Sequence, residues 1–142
     1  MKNSILAFFS FAFLISIASA QDRSDSRWYS PKLVQTGKRV FDQNCAACHG
    51  SQGQGLADDW RKPLADGSYP PPPLNGTAHA WHHPISQLLR TINDGGVPLG
   101  GKMPGFRQLL TKEEKVAVIA YFQNWWSDAI YQEWLSIGGL EY

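Results

Sequence analysis

Two thiols and one imidazole lie within five consecutive residues of this 142-residue chain. Cys45 and Cys48 are its only cysteines, and His49 follows the second one directly. A pair of thiols can close a disulfide, exchange disulfides, bind a metal ion or form thioethers with a cofactor. An imidazole beside them adds a ligand for a transition metal. The spacing of the three groups decides among these chemistries.

The Cys-x-x-Cys-His spacing favours covalent attachment of haem. A structural zinc site needs four ligands, usually with a second pair of Cys or His residues. A thioredoxin-like redox pair lies in a βαβ context, which this sequence does not predict, and a disulfide leaves His49 without a role. We therefore expect Cys45 and Cys48 to bind one haem c through thioethers, with His49 as an axial ligand of the iron.

Met103 is the candidate for the second axial position. Apart from the initiator it is the only methionine, and it lies among Gly and Pro residues at 101–106. A lone methionine is most often core filler, but this setting favours a thioether that is held in a fixed loop and directed at the iron. His/Met ligation raises the reduction potential relative to two histidines and leaves no open position for a substrate.

Four segments carry patterns that would position these groups. Apolar side chains share one face over residues 32–44 and again over 84–93, where a Gly-Gly pair follows. A capping-box pattern opens residues 111–126, which we expect to form the clearest helix. Residues 127–142 form an aromatic extension that contains a further candidate helix.

The segments between these helices are rich in glycine and proline. Residues 50–76 are punctuated throughout, and no part of the chain shows the alternation of a strand. A loop of this length is uncommon in a compact domain unless it serves a function, such as wrapping a bound group. The sequence therefore predicts an all-α, loop-rich fold.

The N-terminus has the features of a secretory signal. Lys2 precedes an apolar stretch that ends in a small-residue cleavage pattern at residues 18–20. The alternative is a membrane anchor, but the stretch is short of the roughly 20 apolar residues that span a bilayer. We expect residues 1–20 to be cleaved, residues 21–31 to form a flexible segment, and the mature protein to be periplasmic.

The charge of the mature chain is balanced. Loss of Lys2 leaves twelve basic and twelve acidic residues. This balance predicts no nucleic-acid partner, because such partners select basic surfaces. We also expect no attachment to a membrane after cleavage of the signal.

The motifs together resemble those of the class I monohaem cytochromes c over about residues 32–126. The Cys-x-x-Cys-His-Gly motif follows an N-terminal helix, and residues 72–76 match the family's Pro-x-Leu-x-Gly loop. Residues 102–106 match its methionine loop, and residues 111–121 match the opening of its C-terminal helix. The resemblance implies a small fold of three to five helices wrapped around one covalent haem.

The resemblance also implies specific contacts and a function. Gly37 and Phe41 would cross Tyr121 where the terminal helices meet, and a carbonyl near Pro72 would accept the proton of the His49 ring. The implied function is a carrier without catalysis, which passes single electrons between redox proteins through transient contacts.

A histidine-rich segment departs from the family pattern, with His79, His82 and His83 around Trp81. One interpretation is a second metal site, or a role in passing electrons to a copper protein, because imidazole binds copper and zinc. The other is that Trp81 packs on the haem edge while one histidine bonds a haem propionate or the backbone. A third is that one of these histidines competes with Met103 for the sixth position of the iron.

The aromatic extension leaves two interpretations open. The rings of Trp125, Trp126, Tyr131 and Trp134 could dock a dehydrogenase or oxidase, which would make the chain a subunit of a larger complex. They could instead fold back on their own domain. A different class of function, a haem sensor or peroxidase, requires Met103 to leave the iron.

Overall fold

The computed structural model describes residues 27–141. The predicted signal and most of the segment before residue 31 lie outside these residues. The chain divides into two compact units at Ser30, and the described part of the first, residues 27–30, contains no helix. The second unit begins at Pro31, where proline suits the first turn of a helix.

The second unit is all-α, as the sequence predicts. Residues 27–141 contain no strand, and none of their helices is both long and apolar enough to cross a bilayer. Two short 3-10 helices cover His79–His82 and Val97–Leu99. The five α-helices are α1 (Pro31–Asn44), α2 (Ala46–His49), α3 (Ile85–Asp94), α4 (Lys112–Gln123) and α5 (Asp128–Ser136).

The start of α4 is determined by local sequence. The backbone N–H of Glu114 donates to the Thr111 hydroxyl at 3.1 Å, and the Thr111 N–H donates to the Glu114 carboxylate at 2.9 Å. The two bonds form the predicted capping box, which satisfies N–H groups that lack a partner inside the helix.

The end of α4 comes earlier than the predicted Trp126. The N–H of Trp125 bonds the carbonyl of Phe122, and the N–H of Trp126 bonds that of Gln123, at 3.2 and 3.0 Å. These bonds span three residues and tighten the chain into a turn. The Ser127 hydroxyl then caps α5, so the extension is a separate helix.

Helices α1 and α4 cross at Gly37 with almost no space between their backbones. A Cβ atom at Gly37 would lie 1.9 Å from the carbonyl oxygen of Ala117 and 2.8 Å from Cβ of Tyr121. One turn further along α1, the rings of Phe41 and Tyr121 meet at 5.4 Å. The structure confirms the close crossing that the family resemblance implied, and it shows why glycine stands at this position.

The aromatic extension folds back on its own domain. Trp126, Tyr131 and Trp134 are almost completely buried. The indole N–H of Trp126 donates to the carbonyl of Leu74 at 2.8 Å, and that of Trp134 donates to the carbonyl of His83 at 2.9 Å. These three rings are core, so they do not form a docking surface.

Candidate haem-binding site

The Cys-His motif lies where the chain leaves α1 and forms the single turn of α2. The N–H of Cys45 still bonds the carbonyl of Phe41 at 2.8 Å, and Gly50 ends the turn at a φ of 80°, which favours glycine. Cys45 and Cys48 form no disulfide. Burial raises the pKa of the Cys45 thiol to about 11, whereas Cys48 is exposed.

His49 is buried, and its ring is held in one orientation. Its Nδ1 lies 2.9 Å from the carbonyl oxygen of Pro72, the contact that the family resemblance implied. An Nδ1–H that donates to this carbonyl leaves Nε2 as the nitrogen available to a metal. Burial lowers the pKa of His49, which favours the neutral imidazole that metal ligation requires.

The loop that carries Pro72 is tied to the chain just after His49. The N–H of Leu74 bonds the carbonyl of Gly53 at 2.6 Å, and the N–H of Gly55 bonds the carbonyl of His49 at 2.7 Å. These two bonds hold the long glycine- and proline-rich loop against the motif. The position of the Pro72 carbonyl therefore depends on backbone pairing and not on a helix.

A cavity of about 500 Å³ opens beside the motif. Its wall includes Cys45, Cys48 and His49 together with Met103, which lies far from them in sequence. Most of the remaining wall is apolar and is supplied by α1, α3, α4 and the loops, with Phe41, Leu88, Ile92, Val118 and Phe122 among the side chains. The volume is in the range of sites that enclose a cofactor.

The methionine loop is fixed to the end of α3. The N–H of Gly96 donates to the carbonyl of Met103 at 2.9 Å, and the N–H of Phe106 donates to the carbonyl of Ile92 at 2.8 Å. A Cβ at Gly95, where φ is 82°, would lie 2.5 Å from the Met103 carbonyl oxygen. The Gly-Gly pair therefore ends α3 and also allows the methionine loop to approach.

The histidine-rich segment is divided between the cavity and the surface. His79 and His83 line the cavity, as does Trp60, whose ring stacks on His79 at 4.7 Å. Trp81 lies outside the cavity lining, and its ring packs against that of His82 at 3.9 Å. The cavity lining therefore includes the ring of Trp60 and not that of Trp81.

The geometry does not support a second metal site. No group of three or more His, Cys, Asp or Glu side chains in residues 27–141 is arranged to hold a metal ion. His82 is exposed and directed to Trp81, whereas His79 and His83 meet in the cavity wall at 5.4 Å. The three histidines are close in sequence, but only His79 and His83 line the cavity.

The cavity suits a haem. It is apolar, it has two thiols in its wall at the spacing of the haem-attachment motif, and a neutral, oriented imidazole lies beside them. Among residues 27–141, no Asp or Glu side chain contributes to its lining. The apolar side chains that α1, α3 and α4 contribute to the lining would pack on a bound macrocycle.

Comparison with known proteins agrees with this geometry. The family model for cytochrome c oxidase, cbb3-type, subunit III matches residues 32–122. A cbb3-type cytochrome c oxidase subunit FixP from Rhizobium meliloti (strain 1021) is 38% identical over 55 residues, which are 39% of this chain and 17% of the relative. The FixP subunit of Sinorhizobium medicae (strain WSM419) is 31% identical over 100 residues, 64% of this chain and 29% of the relative.

The chain thus spans less than a third of the length of these relatives. No solved structure matches it significantly.

Proposed function

The chain belongs to the family of cytochrome c oxidase, cbb3-type, subunit III, and on that premise we propose that it carries single electrons through one covalent haem with His49 and Met103 as axial ligands. As a member it is a c-type cytochrome of electron transfer and not an enzyme in its own right. The observation that carries the finer proposal is that the Cys-His motif and Met103 lie in the wall of one cavity.

The residues of the site have distinct tasks in this proposal. Cys45 and Cys48 would hold the macrocycle through thioethers, and His49 would offer Nε2 to the iron while the Pro72 carbonyl fixes its ring. Met103 would supply the second protein ligand from its fixed loop. The bound haem supplies a one-electron iron couple.

The protein around the site favours transfer over catalysis. Two protein ligands on the iron leave no position for a substrate, which separates a carrier from a sensor or peroxidase. The apolar lining excludes water, and exposed Cys48 places one attachment point at the surface where a redox partner approaches. Partners of such carriers bind through small, transient interfaces.

A second candidate role is that of an electron-transfer subunit within an oxidase. It is favoured by the relatives, which are named as subunits of cbb3-type oxidases. Gel filtration and affinity purification of the tagged chain from detergent-solubilised cells separate the two roles. A monomer that reduces a partner at low salt supports the carrier, and a stable complex with oxidase subunits supports the second role.

The export proposal has its own test. Residues 1–20 act as a cleaved signal in this proposal, and the mature chain begins at Gln21 in the periplasm. N-terminal sequencing of the protein from a periplasmic extract would then read from Gln21. If the chain is instead found in the membrane fraction and still carries residues 1–20, the proposal of a cleaved signal is contradicted.

The spectrum of the mature holo-protein tests the haem proposal. We expect a low-spin c-type spectrum, a pyridine haemochrome that gives one haem per chain, and a near-infrared sulfur-to-iron band in the oxidised state. The Met103→Ala variant loses that band and gains tight binding of CO, while His79→Ala and His82→Ala keep the band. CO binding by the resting wild type, or a band that survives in Met103→Ala, contradicts the proposed ligation.

A further inference from the structure

The proposed haem attachment and ligation make no use of Lys115, a buried lysine near the start of α4. Its side chain is only 8% exposed, although lysine is almost never buried in folded proteins unless it has a partner. Its Nζ donates to the side-chain oxygen Oδ1 of Asn93 at 2.7 Å. Within residues 27–141, no carboxylate forms an ion pair with this ammonium. A neutral amide therefore holds a buried positive charge, and the fold must explain why.

The position of Lys115 is unfavourable for its own helix. It is the fourth residue of α4, close to the helix end where the macrodipole favours anions. Its partner Asn93 is the last residue but one of α3, at the end where the macrodipole favours cations. The ammonium thus stabilises the C-terminal end of α3 and not the helix that carries it.

The last turn of α3 is also where the methionine loop is attached. The N–H of Arg107 donates to the backbone carbonyl of Asn93 at 3.3 Å, and the guanidinium of Arg107 pairs with the carboxylate of Asp94. The backbone of Asn93 therefore holds the loop that contains Met103, while its side chain is itself held by Lys115.

The contacts between the loop and α3 leave little space for movement. A Cβ at Gly105, two residues after Met103, would lie 2.7 Å from the carbonyl oxygen of Asn93. A Cβ at Gly95 would lie 2.5 Å from the carbonyl oxygen of Met103. Because the two backbones pass this close to each other, a displacement of the last turn of α3 must displace the methionine loop as well.

We propose that Lys115 is a positioning residue for Met103. Its bond to Asn93 fixes the last turn of α3, and this turn fixes the loop that presents the thioether. The proposal rests on the proposed function, since it takes Met103 as a ligand of the iron. Without the ammonium, the loop opens more often, and Met103 leaves the iron in a larger fraction of molecules.

An added ligand measures how often the loop opens. Imidazole binds the ferric iron only in molecules whose Met103 has left it, so its apparent affinity rises in proportion to the open fraction. The readout is the loss of the sulfur-to-iron band as imidazole is added to the oxidised holo-protein.

Amide hydrogen exchange gives a second readout that does not depend on the ligands of the iron. The N–H groups of Gly96 and Phe106 donate to carbonyls across the junction of the loop with α3. Their exchange rates report the local opening of this junction.

The chain offers two variants that break the bond and two matched controls. Lys115→Leu removes the ammonium, and Asn93→Ala removes the amide that accepts from it. Lys112→Leu removes the same charge from an exposed position in the first turn of α4. Thr111→Ala weakens the start of α4 through its capping box and leaves the bond between Lys115 and Asn93 in place. Far-ultraviolet circular dichroism at the assay temperature checks that each variant is folded.

We expect imidazole to bind about tenfold more tightly to Lys115→Leu and to Asn93→Ala, because a charge-assisted hydrogen bond is lost in each. The amides of Gly96 and Phe106 should exchange about tenfold faster in both variants. The double variant should match the single ones, since both changes remove the same bond. The two controls should stay within about twofold of the wild type.

Values in Lys115→Leu and Asn93→Ala that match the controls would overturn the proposal. An equal rise in imidazole affinity in Thr111→Ala would overturn it as well, since the effect would then follow from the stability of α4. If Lys115→Leu does not fold, Asn93→Ala decides in the same way.

Failure of the proposed function gives a different result. If Met103 is not a ligand of the iron, the wild type lacks the sulfur-to-iron band, and amide exchange still tests whether Lys115 holds the loop. An intact band in the wild type, with unchanged imidazole affinity and unchanged exchange in the variants, refutes the role of Lys115 alone.

Discussion

Replacement of Gly37 by alanine would add one methyl group at the point where α1 and α4 touch. The new Cβ would lie 1.9 Å from the carbonyl oxygen of Ala117, whereas ordinary contacts begin at 3.4 Å. The helices must therefore separate by about 1.5 Å at this point, or the backbone must distort, because a carbonyl in a helix cannot rotate away. The adjacent packing of Phe41 on Tyr121 would loosen with them.

Two opposing effects set the magnitude of the loss. Alanine in place of glycine stabilises an isolated helix by about 1 kcal/mol. Overpacking of a close-packed core costs about 1 to 3 kcal/mol and occasionally more, and a clash with backbone belongs at the upper end. We expect a net loss of about 2 kcal/mol, which corresponds to a melting temperature roughly 6 to 10 °C lower in a domain of this size.

Thermal unfolding of the oxidised holo-protein, followed by far-ultraviolet circular dichroism, measures this effect. Gln35→Ala is the control, because it adds alanine to the exposed face of the same helix and should change stability by less than about 0.5 kcal/mol. A Gly37→Ala variant as stable as the wild type, or more stable, would refute the close crossing of α1 and α4.

Three further predictions concern other parts of the fold. Trp134→Phe removes the hydrogen bond to the carbonyl of His83, and we expect denaturant unfolding to show a loss of about 1 kcal/mol, since a part-buried carbonyl loses its donor. Thr111→Ala breaks the capping box of α4 and should cost about 1 kcal/mol in the same assay, whereas Thr111→Ser should restore most of it. A chain in which both cysteines are alanine should retain no covalently bound haem when it is denatured. Under native conditions it should lose most of its helical circular dichroism, because the apolar cavity wall has no macrocycle to pack on. Full helicity in this variant would contradict a core completed by the cofactor.

The position of the aromatic extension changes what deletion experiments on this protein mean. Trp126 and Trp134 bond loop carbonyls at Leu74 and His83 from buried positions. Removal of residues 127–142 would delete Trp134 and uncover the Trp126 ring that packs on it, and would thus damage the domain itself. Loss of a partner in a truncated chain would not identify the extension as a docking surface, and point variants of exposed residues are the better probe.

Local sequence alone determined several features of this protein. The two cysteines and the histidine at 45–49 are adjacent in the chain, so their spacing predicts haem attachment without knowledge of the fold. The start of α4 follows from two reciprocal hydrogen bonds between Thr111 and Glu114, which are three residues apart. The helical pattern of 32–44 matches α1 to within one residue, because the period of apolar side chains defines the buried face.

Only the tertiary structure decided which aromatic and imidazole rings face the cavity. Trp60 lies in a glycine-rich loop without periodicity, so nothing in its sequence surroundings distinguishes it from Trp81. His79 and His83 line the cavity while His82 does not, since the 3-10 turn and its anchor at Trp134 set the direction of each ring. Such directions depend on contacts between residues some 50 positions apart, and these contacts form only when the whole chain has packed.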